Sequence, residues 1–185
     1  MASKINLVSA ALVLIGDTPI NTLTGDERRQ QVAAALYDNV VQNELSKHRW
    51  GFARKKAQLA LTTEAPIDQE WRYIYQLPSD LVVLTKLYPN TRYQILGDKV
   101  YTNINTALYC DYIHNAPESD WPAYFAKTVE YALAIDFATS IRDSSTIQQN
   151  MAALYDTTAR NARYQDSQQH PPTPIADRPF INVRY

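Results

Sequence analysis

The stretch that decides how this chain begins to fold is LVLIGDTPINTLTGDERRQQ, Leu12 to Gln31. Upstream of it, Ile5, Val8, Leu12 and Ile15 keep the rhythm of an amphipathic helix, with Ser3 placed to cap its start. Gly16 supplies the left-handed residue on which helices end, and Pro19 bars the helix from resuming. Thr24, three residues before Glu27, reads as a capping box that opens a second helix. The stretch is therefore a helix stop, a compact turn and a helix start. None of it can do chemistry, so its purpose is architectural.

Working outward, the second helix is expected over about 25–50, with Ala33, Leu36, Tyr37, Val40, Val41 and Glu44 along one side. It closes on KHRWGF, with Gly51 as terminator and Trp50 and Phe52 as core plugs. The pattern then changes period. AQLALTT, WRYIYQLP and ALYCDYIHN read as strands, and RYQILGDKVYTN reads as a hairpin turning at Gly97-Asp98. Together they imply a small antiparallel sheet over about 55–115.

Helices return at about 119–142 and 144–167. In the first, Phe125, Val129, Leu133, Phe137 and Ile141 recur every four residues behind a Ser119 or Asp120 cap. That helix is apolar nearly all round, so more than one side of it must be covered, by its own bundle or by a neighbouring subunit. The last helix turns Ile147, Met151, Leu154 and Thr158 inward. The fold class expected is α+β, mainly α: an antiparallel bundle of about four helices, including one at about 3–16, with a small β-sheet insert. One domain spans 1–167. Residues 168–185 form an extended C-terminal arm, stiffened by Pro171, Pro172, Pro174 and Pro179 and ending in apolar Phe180, Ile181, Val183 and Tyr185. It reads as an arm that binds a partner.

Composition limits what the chain does. A net charge of -1 over 185 residues argues against a protein whose main task is to grip nucleic acid. No apolar run approaches a membrane span, and the N-terminus lacks the continuous apolar core of a signal peptide, so a product of the cytoplasm is expected. The single cysteine, Cys110, excludes an internal disulfide. Thirteen tyrosines are unusual, and Tyr is enriched where protein meets protein.

Catalytic readings fare poorly. Cys110, Tyr112 and His114 share one strand face, yet the cysteine and the histidine stand about 13 Å apart at ~3.3 Å per residue, too wide to chelate one metal. With 4 glycines the chain can scarcely build a phosphate loop. Asp136, inside the apolar helix, is the most interesting acid; pairing with an Arg or a Tyr hydroxyl across an interface is the reading adopted over a perturbed general base. His48 suits a helix end, where a cation complements the dipole. No catalytic residue, cofactor or metal site is expected. Lys47, Arg49, Arg54, Lys55 and Lys56, interleaved with Trp50 and Phe52, are candidate contacts for passing DNA or for an acidic partner.

A helix ending in LIG, then DTPINTLTGD, then a long helix closing on HRWGFA resembles the start of the tail tubular protein A family, the head-to-tail adaptors of short-tailed bacteriophages. Arg49, Trp50, Gly51 and Phe52 match that family's Arg-Trp-Phe signature in a tighter form, and YIYQLPSDLVVL, Tyr73 to Leu84, is similar to the element that follows it. The resemblance implies a virion protein: a ring, typically of twelve copies, between the portal and the tail nozzle, through which the genome is ejected. It implies partners in the portal protein, the nozzle protein and further copies of the chain, transient contact with DNA, and no membrane. Such a protein is made in the host cytoplasm and resides at the head-tail junction. Phe180, Ile181, Val183, Tyr185, Pro172 and Pro174 would then be partner-binding. The rival reading is a small helical DNA-binding or regulatory protein using its first two helices as a helix-turn-helix, although the joint is longer than the usual turn.

Overall fold

A computed structural model describes residues 3–66 and 69–169. In chain order the elements are α1 (Lys4–Leu14), α2 (Arg28–Ser46), β1 (Arg54–Gln58), β2 (Ala60–Leu61), β3 (Tyr73–Gln76), β4 (Leu81–Tyr88), β5 (Tyr93–Leu96), β6 (Lys99–Thr102), β7 (Tyr109–His114), α3 (Ala123–Ser140) and α4 (Ser145–Gln168). Short 3-10 turns lie at Gly51–Ala53 and Glu118–Asp120.

The expectation of a mainly α bundle with a small sheet insert is overturned. Among the described residues, seven strands form two antiparallel sheets, one ordered β1-β7-β4 and the other β2-β3-β6-β5. The strand that makes the difference is β4, the longest of the seven. Its sequence LVVLTKLY opens on four apolar residues in a row, and its register against β7 shifts between Leu81 and Val83 and again between Leu84 and Lys86. Each irregularity breaks the period of two by which a strand is recognised. By pairing with β7, β4 draws that strand away from the hairpin sheet and creates a separate layer.

That layer sits in the middle. On β7, Ile113 faces the helices and joins a core with Leu12, Tyr37, Trp50, Phe125 and Phe137. Cys110 and Tyr112 point the opposite way, into a second core with Leu59, Tyr75, Leu87, Val100 and Leu108. Five of the six β7 residues are buried, as befits a central strand covered on both faces. The arrangement is helices on sheet on sheet. The 96–99 hairpin turns as expected, with Gly97 at φ 62° in the position where a tight hairpin needs a left-handed residue.

The helical layer closes around α3, which packs against α1, α2 and α4. Phe125, Val129, Leu133 and Phe137 have no exposed surface. Its own chain therefore covers the over-apolar helix, and no neighbouring subunit is needed to do so. Pro122, not Ser119 or Asp120, stands at its N-cap, because Glu118–Asp120 are taken up in a 3-10 turn and the Ser119 hydroxyl goes to Asp120.

The first joint is tied as its sequence implies, with one change. Ser3 accepts from the Asn6 N–H, and Gly16 adopts φ 76° beyond α1. Ile20 plugs the core while its backbone N–H and C=O both bond the Ser9 hydroxyl, at 3.2 and 2.8 Å. Thr24 does not cap α2, since its hydroxyl pairs with Thr22; Glu27 stands at the N-cap, where its N–H donates to Gln30 Oε1. On α4 the inward seam runs Ile147, Met151, Tyr155, Ala159, Ala162, Asp166, leaving Leu154 45% exposed. A seam of this spacing drifts round the helix, and a strict reading misses it.

Removing core volume at α3 should cost far more than trimming α4. Phe137→Ala should lose about 3–5 kcal/mol of stability, and Leu154→Ala less than about 0.5 kcal/mol, as read from urea unfolding midpoints.

Candidate functional site

The segment Lys47–Lys56 joins the helical layer to the sheets, and most of its cations are already engaged. Lys47 Nζ reaches Glu44 Oε1 at 2.6 Å and the Tyr155 hydroxyl at 2.9 Å. Arg54 pairs with Asp111 at 2.8 Å and Lys55 with Asp80 at 2.9 Å. Lys56 lies over the Tyr88 ring, 5.8 Å from its centroid. Among the described residues, Arg49 is the exposed cation of this group with no carboxylate or ring partner. The five candidate contacts thus share one segment but form no bare basic patch. Asp111 faces Arg54 with only 3% of its surface exposed, and burial of that order makes the ion pair a structural fixture.

Two buried carboxylates organise the joint. Glu44, 2% exposed, accepts from Lys47 and from the Tyr155 hydroxyl. Burial opposes the Lys47 charge, yet bonds to Glu44 and Tyr155 hold its ammonium above the ordinary lysine range. Asp166, also 2% exposed, takes the Gly51 N–H on both oxygens at 3.0 Å and the Tyr124 hydroxyl at 2.9 Å, with His48 Nε2 at 3.5 Å. Burial, and then Asp166, raise the Tyr124 phenol well above its ordinary value. Burial pushes the His48 imidazole down, and neighbouring Arg163 adds to this, while Asp166 pulls the other way.

Trp50 fills the space these groups frame. Its indole N–H donates to the Glu44 carbonyl at 2.9 Å, and its ring meets Phe125 edge-on at 4.9 Å and stacks near Tyr124 at 6.4 Å. Phe52 closes on Phe125 at 4.8 Å. Trp50 is a core plug, as read from sequence, whereas Phe52 is half-buried, packed against the core with part of its ring open. Asp166 is the residue that reading missed. The available signal was its position, four residues beyond Ala162 on the inward seam, where an acid must find donors.

The strand expected to hold Cys110, Tyr112 and His114 forms, but its side chains are structural. Burial raises the Cys110 thiol, Tyr112 donates to Asp80 and is pushed up to about 12, and His114 Nδ1 meets the Ala53 carbonyl at 2.8 Å. Asp136 is half-buried, which raises its carboxyl, partly offset by the Lys47 charge. Among the described residues its carboxylate has no hydrogen-bond or ion-pair partner.

Most of the large exposed apolar residues lie in strands. Among the described residues, six of the ten large exposed hydrophobics, Leu61, Tyr88, Tyr93, Ile95, Leu96 and Tyr109, belong to strands. Every residue of β5 is exposed, and the strand has one paired side, against β6. Tyr88 and Tyr109 face each other across β4 and β7. Pro172, Pro174, Phe180, Ile181, Val183 and Tyr185 lie outside the described residues. No helix among the described residues is long and apolar enough to cross a membrane. No protein-family model matches the chain, and no curated protein sequence matches it.

The His48 shift fixes a pH dependence. A native imidazole harder to protonate than the unfolded one gives stability that is complete above about pH 6.5 and is lost as pH falls below it. Wild type should therefore lose more stability than His48→Gln between about pH 7 and pH 5, measured as the change in urea midpoint.

Proposed function

We propose that this chain is a structural adaptor of a tailed bacteriophage, forming a ring between portal and tail nozzle through which DNA passes. The observation that carries the reading is the apolar display on the sheet layers, with β5 as an open edge. Soluble proteins blunt such edges with charge, and β1, the outer strand of the middle sheet, is treated that way by Arg54, Lys55 and Lys56. β5 instead offers Tyr93, Ile95 and Leu96. An uncharged edge with apolar side chains is a surface to be covered by another chain.

The adaptor works by geometry. Copies packed head to tail close into a ring when the rotation between them divides a full turn, and twelve is the number the family resemblance implies. The helical layer, rigid around α3, carries the sheets toward the next tail component. The arm, through Phe180, Ile181, Val183 and Tyr185, engages the portal. With most cations of the 47–56 segment neutralised, Arg49 and Lys56 remain for brief contact with moving DNA, and weak contact suits a conduit. The half-buried Asp136 carboxylate, without a hydrogen-bond or ion-pair partner among the described residues, supports a contact with a neighbouring subunit.

Two variants test the reading by sedimentation, alone and with a candidate portal. Ile95→Lys combined with Leu96→Lys should keep the fold, because both side chains are exposed, and should abolish ring assembly on the portal. Deleting residues 170–185 should leave a folded protein that no longer attaches. Wild-type assembly by both variants would refute the adaptor reading.

A further inference from the structure

The chain leaves α4 beside a cleft of about 400 Å³ lined by Gly51, Phe52, Pro122, Tyr124, Asp166 and Gln169. Its polar wall is already spent. Asp166 receives the Gly51 N–H, the Tyr124 hydroxyl and the His48 imidazole, so its carboxylate has little capacity left for a charged ligand. What remains open is ring surface: Phe52 and Tyr124 are each half-buried, backed by Trp50 and Phe125, and Pro122 adds a further apolar face. Aromatic-lined clefts of this kind accept proline rings, which are apolar and lose little conformational freedom on binding.

The sequence delivers prolines to this spot. Gln169 lines the cleft, and His170, Pro171, Pro172, Thr173 and Pro174 follow it directly. Two residues of chain span at most about 7 Å, so Pro171 cannot leave the neighbourhood of the cleft whatever course the rest of the arm takes. A binding segment on a short tether that spans to its site acts at an effective concentration in the millimolar range.

We propose that this cleft is the seat of the chain's own proline segment, Pro171 to Pro174. The prolines stack on Phe52 and Tyr124, and the seat fixes the direction in which the apolar end of the arm, Phe180 to Tyr185, is presented. The inference does not rest on the adaptor reading, because it concerns one chain alone.

The test is nuclear magnetic resonance on the isotope-labelled full-length chain. Proline ring protons of residues 171, 172 or 174 should show Overhauser contacts to the aromatic protons of Phe52 or Tyr124, unchanged on dilution. The variant Pro171→Gly, Pro172→Gly, Pro174→Gly, altered outside both cores, should lose those contacts and shift the Phe52 and Tyr124 ring resonances while its helices remain. Contacts that fade on dilution would assign the cleft to a second copy's segment and overturn the proposal. Absence of contacts, with Thr173 as mobile as Tyr185, would overturn it as well. Failure of the wild-type chain to attach to any candidate portal, with the contacts intact, would count against the adaptor reading and leave this one standing.

Discussion

A carboxylate with 2% of its residue surface exposed, at the last turn of the last helix, governs how this molecule closes. Taking an ionised acid out of water costs several kcal/mol, and only donors supplied by the protein can offset that cost. Asp166 finds them on two other elements: the Gly51 N–H, from the turn that leads out of α2, and the Tyr124 hydroxyl, from the first turn of α3. Residues 115 positions apart in the chain are thereby held within hydrogen-bond distance. Glu44 does the same between α2 and α4 through Lys47 and Tyr155. The aromatic cluster of Trp50, Phe52, Trp121 and Phe125 fills the space these polar contacts frame. Packing and polar bonds thus fix the same joint, and the chain enters β1 from it in one direction only.

From that joint the layers follow. β1 pairs with β7, β7 pairs with β4, and the resulting sheet presents one face to each core. The outer sheet is left with its β5 edge in solvent. Tyr93, Ile95 and Leu96 on that edge belong to neither core. Their exposure on an open edge is the feature on which the proposed reading rests.

How legible this was depends on the kind of signal. Sharp local chemistry could be read: Gly16 and Gly97 mark backbone turns that require positive φ, Ser3 marks a cap, and the four-residue repeat from Phe125 to Phe137 marks a buried helix. Signals that depend on partners distant in sequence could not. Thr24 had the right spacing for a cap but found Thr22 first. The bulged β4 hid its alternation, and with it the second sheet. Asp166 looks like the end of a pattern until Gly51 and Tyr124 are seen beside it. The basic segment looked like a patch for nucleic acid because its acidic partners, Asp80 and Asp111, lie 25 and 57 residues away.

The claim that this joint is part of the rigid body is tested most directly by native-state amide exchange at Gly51. This amide, bonded to both oxygens of Asp166, should exchange only through global unfolding, with the same denaturant dependence as core amides of α3 such as Leu133. Exchange at Gly51 that is much faster and insensitive to denaturant would mean that the joint opens by itself, and would contradict the account.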